Sequence, residues 1–189
     1  MACFAAHFPF SRAGGRLMKL SAKTLVLIPF LLLAAGFATA PAEAGSLAYP
    51  STDHASFLVD LPDDWEVTPG EGVGDYVHVN SPGGVYLAFR TLPASESAMN
   101  DAIEDSVAYV EGNYKGAALS EPAKTAQNGL GAFFIDGSGK EEDGTPVTFR
   151  MVFIALKDGS IGEIWFAAPL SDKAGIAAAA KVLNSFRAP

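Results

Sequence analysis

Two apolar runs on either side of an Asp-Gly pair constrain this chain more than any other feature. Val147 to Leu156 (VTFRMVFIAL) and Ile161 to Ala168 (IGEIWFAA) are rich in β-branched and aromatic residues, and Lys157-Asp158-Gly159-Ser160 between them is hairpin chemistry. With Asp158 and Gly159 as a two-residue turn, Phe153 faces Ile164 and Met151 faces Phe166 on one side of the sheet. On the other side Val152 faces Trp165 and Leu156 faces Ile161. Both faces are apolar, whereas an antiparallel sheet with one wet face alternates. Each side therefore needs a cover.

Two amphipathic segments supply the covers. From Ser97 to Tyr114 the residues Met99, Ile103, Val107, Val110 and Tyr114 recur at helical steps, with Ser95 or Ser97 as N-cap, Asp101 near the positive end and Gly116 beyond the last turn. From Ser171 to Phe186 the stripe is Ile176, Ala179, Ala180, Leu183 and Phe186, capped by Ser171 with Asp172. Further strands are expected at Phe57-Leu58-Val59, at Leu130 to Ile135, and as a hairpin of Tyr76 to Val79 and Val85 to Phe89 around Asn80-Ser81-Pro82-Gly83-Gly84. Asp136 to Gly144 reads as a linker. The class expected is α+β: an antiparallel sheet with helices packed on both faces, an α/β/α sandwich.

Ahead of this domain, Arg12, Arg16, Lys19 and Lys23 precede an uncharged run of 14 residues, Thr24 to Phe37, which leads into Ala38-Thr39-Ala40-Pro41-Ala42-Glu43-Ala44-Gly45. A basic stretch, an apolar stretch and small residues in that order make a secretory signal. The run is short of the roughly 20 residues that span a bilayer. Pro41 sits badly directly after a scissile bond, so cleavage is expected after Ala44, giving a signal at 1–44, a flexible lead-in at 45–55 and a single domain at 56–187. Met18-Lys19-Leu20 opens a signal of ordinary length by itself, which makes Met18 an alternative start. Cys3, the one cysteine, leaves with the signal, so the product is expected to be soluble and extracytoplasmic, periplasmic or secreted, without disulfide or lipid anchor.

From residue 45 onward there are 20 acidic and nine basic side chains, a net charge of −11. Such a field repels phosphate backbones and anionic lipid heads, which sets nucleic acid and membrane surfaces aside as partners. A protein with a basic patch is the partner such a surface suits, with the loop acids Asp63, Asp64, Glu141, Glu142 and Asp143 as the contacts.

No cofactor motif stands out. Gly70-Glu71-Gly72-Val73-Gly74 is followed by a strand where a dinucleotide loop needs a helix. His54 and His78, the histidines after the signal, have no second His or Cys at a ligand spacing. A calcium loop counted from Asp136 fails, since Lys140, Glu141 and Val147 stand where an oxygen ligand, glycine and glutamate belong. Trp65 and Trp165 read as core rather than as the floor of a pocket. Two other classes stay open on the residues alone: a small hydrolase working through carboxylates such as Asp63, Asp64 and Glu163, and a low-affinity divalent-ion binder using Glu141, Glu142 and Asp143.

The order of short motifs resembles the PsbP-like superfamily, which includes the Ran-binding Mog protein and small exported bacterial domains. The resemblance rests on Leu61-Pro62-Asp63-Asp64-Trp65 after a first strand, the middle helix, Asn128-Gly129 before a strand, the Asp-Gly hairpin and a last helix ending Asn184-Ser185-Phe186-Arg187. It covers nearly all of residues 56–187. It implies an α/β/α sandwich and a non-catalytic binding or accessory module, and it brings no catalytic residues with it.

Overall fold

A computed structural model describes residues 45–72 and 74–189; the expected signal at 1–44 lies outside the described residues. The elements run β1 (Gly45–Tyr49), β2 (Phe57–Leu61), β3 (Glu66–Thr68), β4 (Val77–Asn80), β5 (Tyr86–Leu92), α1 (Glu96–Asn113), β6 (Lys115–Leu119), β7 (Ala123–Gln127), β8 (Leu130–Lys140), β9 (Pro146–Ala155), β10 (Ile161–Pro169) and α2 (Lys173–Ser185). The class is α+β, as the periodicities require. β1 and β2 pair as a ribbon, and the other strands form one eight-stranded antiparallel sheet in the order β3-β4-β5-β10-β9-β8-β6. β7 also pairs with β8: the first half of β8 takes β7 and the second half takes β6.

The β9–β10 hairpin forms, but one residue out of the expected register. Glu163 faces Phe153, Ile164 faces Val152 and Trp165 faces Met151. The loop has three residues, Lys157 to Gly159: Leu156 N–H donates to Ser160 O at 2.9 Å, Gly159 N–H to Leu156 O at 3.2 Å, and Gly159 takes φ +85. This is a turn with glycine at the left-handed position, and Asp158 stabilises it by accepting from Ser160 N–H at 2.9 Å. Because side chains alternate, the shift regroups the pairs. Val152, Ile154, Ile164 and Phe166 join a cluster with Phe57, Val59, Leu87, Phe89, Ala179, Val182 and Phe186. Val147, Phe149, Met151, Phe153 and Trp165 join another with Ala88, Leu92, Ala102, Val110 and Ile135.

Each helix buries a stripe slightly rotated from the expected one. In α1 the buried residues are Ala102, Ser106 and Val110, smaller than the Met99, Ile103 and Val107 row beside them. Small side chains let the helix settle close, and the Trp165 indole N–H donates to Ser106 Oγ at 3.1 Å. Ser95 is the N-cap. In α2, Asp172 is the cap, Ala179 and Val182 are buried, and Ala180 faces water.

Residues 45–49, expected as loose lead-in, form β1 and end in a buried Tyr49 stacked on Phe57 at 5.1 Å. Asp136 to Lys140, expected as linker, extend β8, so that only 141–145 turn. Asp136 lies opposite Arg150, whose Nε and Nη2 donate to its two oxygens at 2.5 and 2.8 Å. Gly137 is required there, because a Cβ would come within 1.9 Å of the Phe149 ring.

That contact gives a test. Gly137→Ala should lower unfolding free energy by about 1–3 kcal/mol in urea titrations, since Phe149 is fully buried and has to move. Gly131→Ala, in the same strand with open space around it, should be close to neutral.

Candidate functional site

The chemistry-bearing side chains gather on the α1 side of β4, β5 and β10. Strand register places them in rungs. Arg90 faces Glu163, and Ala88 faces both His78 and Trp165. Tyr86 lies opposite Asn80 and Ala167.

Glu163 is the one fully buried carboxylate among the described residues. The Tyr76 hydroxyl donates to its Oε1 at 2.8 Å and Arg90 Nε donates to its Oε2 at 2.5 Å. Arg90 also lies over the Tyr76 ring, 4.3 Å from the centroid, a cation–π contact that helps to hold the guanidinium in place. Both carboxylate oxygens are therefore engaged, which is what a charge needs to remain buried.

Beside this triad, His78 Nδ1 and the Tyr86 hydroxyl are 2.7 Å apart. Burial pushes the His78 imidazole below its ordinary range, so it is neutral at physiological pH. From α1, Tyr109 packs edge-on against Trp165 at 5.8 Å and Tyr114 at 6.3 Å, and Tyr114 stacks on Phe149 at 5.2 Å. Burial raises all four tyrosines. Tyr76 and Tyr86 lie far above the phenol range, Tyr109 is shifted upward, and Tyr114 is pushed up to about 12, first by burial and then by the neighbouring Tyr109 and Glu141 charges. The phenols keep their protons. They are hydrogen-bonding groups, whereas general acid or base work draws on a pKa near the operating pH.

The nearby Glu141 belongs to the β8–β9 tip. That tip is a tight turn: Glu141 N–H donates to Thr145 O at 3.0 Å, Thr145 N–H to Asp143 Oδ1 at 2.8 Å, and Gly144 takes φ +92. Thr145 holds the Asp143 carboxyl below its usual range. Lys115 Nζ donates to Glu142 O at 3.0 Å, tying the tip to β6, while the three acidic side chains stay exposed.

Of the other expected contacts, Asp63 and Asp64 are exposed in the turn after β2, where Asp63 lines a cleft of about 300 Å³ with Gly45, Leu61, Trp65 and Val67. The carboxylates named for a hydrolase are thus in different surroundings, with Glu163 sealed under Tyr76 and Arg90. Among the described residues no group of three or more His, Cys, Asp or Glu is placed to hold a metal ion, and His54 is exposed in the loop after β1. The tyrosine cluster itself escaped sequence reading. The available signal was a charge inside each of two apolar strands, Arg90 and Glu163, because a buried charge calls for a partner.

No family model and no curated protein matches the chain. Solved structures share its fold. The Ran-binding protein Mog1p of Saccharomyces cerevisiae is 12% identical with a TM-score of 0.50, over 77% of this chain and 95% of that one. The cyanobacterial PsbP (CyanoP) of Synechocystis is 11% identical with a TM-score of 0.53, over 83% of this chain and 99% of that one. The fold is PsbP/Mog1-like, as the motif order led us to expect.

Removing one partner of a buried pair leaves the other uncompensated. Glu163→Gln should therefore cost about 3 kcal/mol, near the lower end for buried pairs because the Arg90 side chain is 21% exposed and reaches water. In a double-mutant cycle with Arg90→Met the two losses should fall short of adding, and strict additivity in denaturant titrations would contradict the pairing. His78 gives a pH test. Its folded pKa lies below the unfolded 6.5, so the unfolded chain takes the proton more readily and stability falls as pH drops below about 6.5. Melting temperatures between about pH 8 and pH 5 should show that slope in the wild type and a flatter one in His78→Gln.

Proposed function

We propose that this chain is an exported, soluble, non-enzymatic binding or accessory module of the cell envelope. We read it as an α/β/α sandwich that holds a basic protein partner on its α1 side. The observation that carries this reading is the tyrosine cluster of Tyr86, Tyr109 and Tyr114 beside the exposed acids of the β8–β9 tip, with Glu141 close enough to act on Tyr114. Tyrosine, tryptophan and arginine are the side chains that dominate interface energetics, and half-buried phenols offer large contact area at low entropic cost. Acids at the rim add attraction for Lys and Arg and favour cation–π contact with the rings.

Three further observations support it. The basic stretch, apolar run and small residues at 12–45 are those of a signal. The three arginines of the domain are each engaged with a carboxylate, Arg90 with Glu163, Arg150 with Asp136 and Arg187 with Asp60, so the surface excess is acidic. Mog1p, a fold neighbour, is described as Ran-binding. Asp63 and Asp64, in the turn after β2, form a separate candidate contact.

Charge reversal tests the reading. With Glu141, Glu142 and Asp143 replaced by Lys, capture of the partner from the cell envelope should slow and its salt response should flatten, because rim charges act mainly on association. Reversal of Asp63 and Asp64 serves as the parallel arm. Capture and salt dependence left unchanged by the tip reversal would remove the β8–β9 tip from the interface.

A further inference from the structure

The end of α2 is capped in an unusual way. A helix leaves its last carbonyls without intrahelical donors, and α2 has no basic side chain in its last turn to meet them. Two amides from the β7–β8 turn do so instead. Gln127 Nε2 donates to Leu183 O at 2.8 Å, and Asn128 Nδ2 donates to Asn184 O at 3.0 Å and to Phe186 O at 2.7 Å. Asn128 is exposed and sits at φ +47, followed by Gly129 at φ +82, a two-residue turn in which Gln127 faces Leu130.

The segment held there anchors the C-terminus. Phe186 is fully buried against Phe57, with ring centroids 4.7 Å apart. Arg187 and Leu58 exchange backbone hydrogen bonds at 2.9 Å each, and the Arg187 guanidinium reaches both Asp60 oxygens at 3.0 Å. Hydrogen bonds from the Arg187 guanidinium, and then from Ser46, hold the Asp60 carboxyl below its usual range.

We propose that Asn128 is a deamidation site whose hydrolysis uncaps α2 and loosens the C-terminal segment. The Asn128-Gly129 pair has the chemistry for it, since no Cβ on Gly129 obstructs its amide nitrogen. That nitrogen attacks Asn128 Cγ, a C–N bond forms as a cyclic imide, and the Cγ–Nδ2 bond breaks. Ammonia leaves with the proton lost by the backbone amide. Water then opens the imide to aspartate or isoaspartate, and nothing is oxidised or reduced.

The fold gates this reaction and makes its product consequential. While Nδ2 is held by two carbonyls, Cγ is tethered to the C-terminal segment, so conversion proceeds from an opened state in which that segment has let go. The product carboxylate has no hydrogen to donate. It faces the carbonyls of Asn184 and Phe186 at the negative end of the α2 dipole, where a negative charge is unfavourable. Opening permits the reaction, and the reaction disfavours closing.

The protein as isolated is incubated in mildly alkaline buffer, natively and in urea, and conversion at Asn128 is followed by peptide mass mapping. The native rate is expected to be at least about tenfold below the unfolded rate, as for other events gated by local opening. Arg187→Ala, which removes the clamp on Asp60, should speed the native reaction several-fold. Asn128→Asp should melt about 5 °C lower, the loss of two hydrogen bonds, with faster amide exchange at Leu58 and Arg187. Equal native and unfolded rates would overturn the gating, and an Asn128→Asp variant as stable as the wild type would overturn the capping role. Should Asn128→Asp fail to fold, the wild-type and Arg187→Ala kinetics decide the gating by themselves.

Discussion

β10 is buried on both faces, and the pairing of its single charge fixes how it lies between β5 and β9. Glu163 faces Arg90 across one ladder and Phe153 across the other. A slip of one residue would turn the carboxylate toward Phe89, Ile154 and Phe186, where no cation waits, and would carry Trp165 away from Ser106. Purely apolar side chains such as Ile164 discriminate less between the two faces, since each face is an apolar cluster. The buried ion pair costs desolvation and in return specifies the register. The two buried clusters, and with them the seats of both helices, follow from it.

Three of the strands that escaped the sequence share a physical reason. β9 and β10 announce themselves because each buries a long apolar row, and α1 and α2 because apolar residues recur in them at helical steps. β3, β6 and β7 bury little: the three residues of β3 are all exposed, and β7 (AKTAQ) has no large apolar side chain. Such strands are held by backbone pairing to a neighbour, which leaves no periodic trace. β7 had one legible mark, the Asn128-Gly129 turn, which folds it back onto β8. The β9–β10 register was ambiguous for a different reason, because Lys157-Asp158-Gly159-Ser160 fits a two- or a three-residue loop with a left-handed glycine in either, and the two differ at Asp158, which does not take the positive φ that a two-residue type I′ turn demands. The tyrosine cluster needs β4, β5, β10 and α1 to be side by side before it exists, so its members look unrelated along the chain.

Charge is distributed with the same economy. Among the described residues each arginine is tied to a carboxylate from a different stretch of chain, and two of them also lie over aromatic rings, Arg90 on Tyr76 and Arg150 on Phe134. The guanidinium groups thereby serve the fold. From residue 45 onward the remaining cations are lysines, strongly hydrated point charges that do not offer the planar fork suited to phosphate. What remains is an acidic excess of side chains, with tyrosines gathered on the α1 side.

The division of β8 between β6 and β7 has a further effect. A sheet edge is a template on which a foreign strand can pair, and the danger grows with its uninterrupted length. Here the edge is broken between Leu119 and Ala123 by Ser120, Glu121 and Pro122, and each piece is five residues long. β6 carries a register shift between Lys115 and Ala118, and Lys124 stands exposed in β7. At the far edge β3 offers three residues. An incoming strand meets no flat ladder longer than a few hydrogen bonds on either side. The borders of this wide sheet thus offer a foreign strand little to pair with.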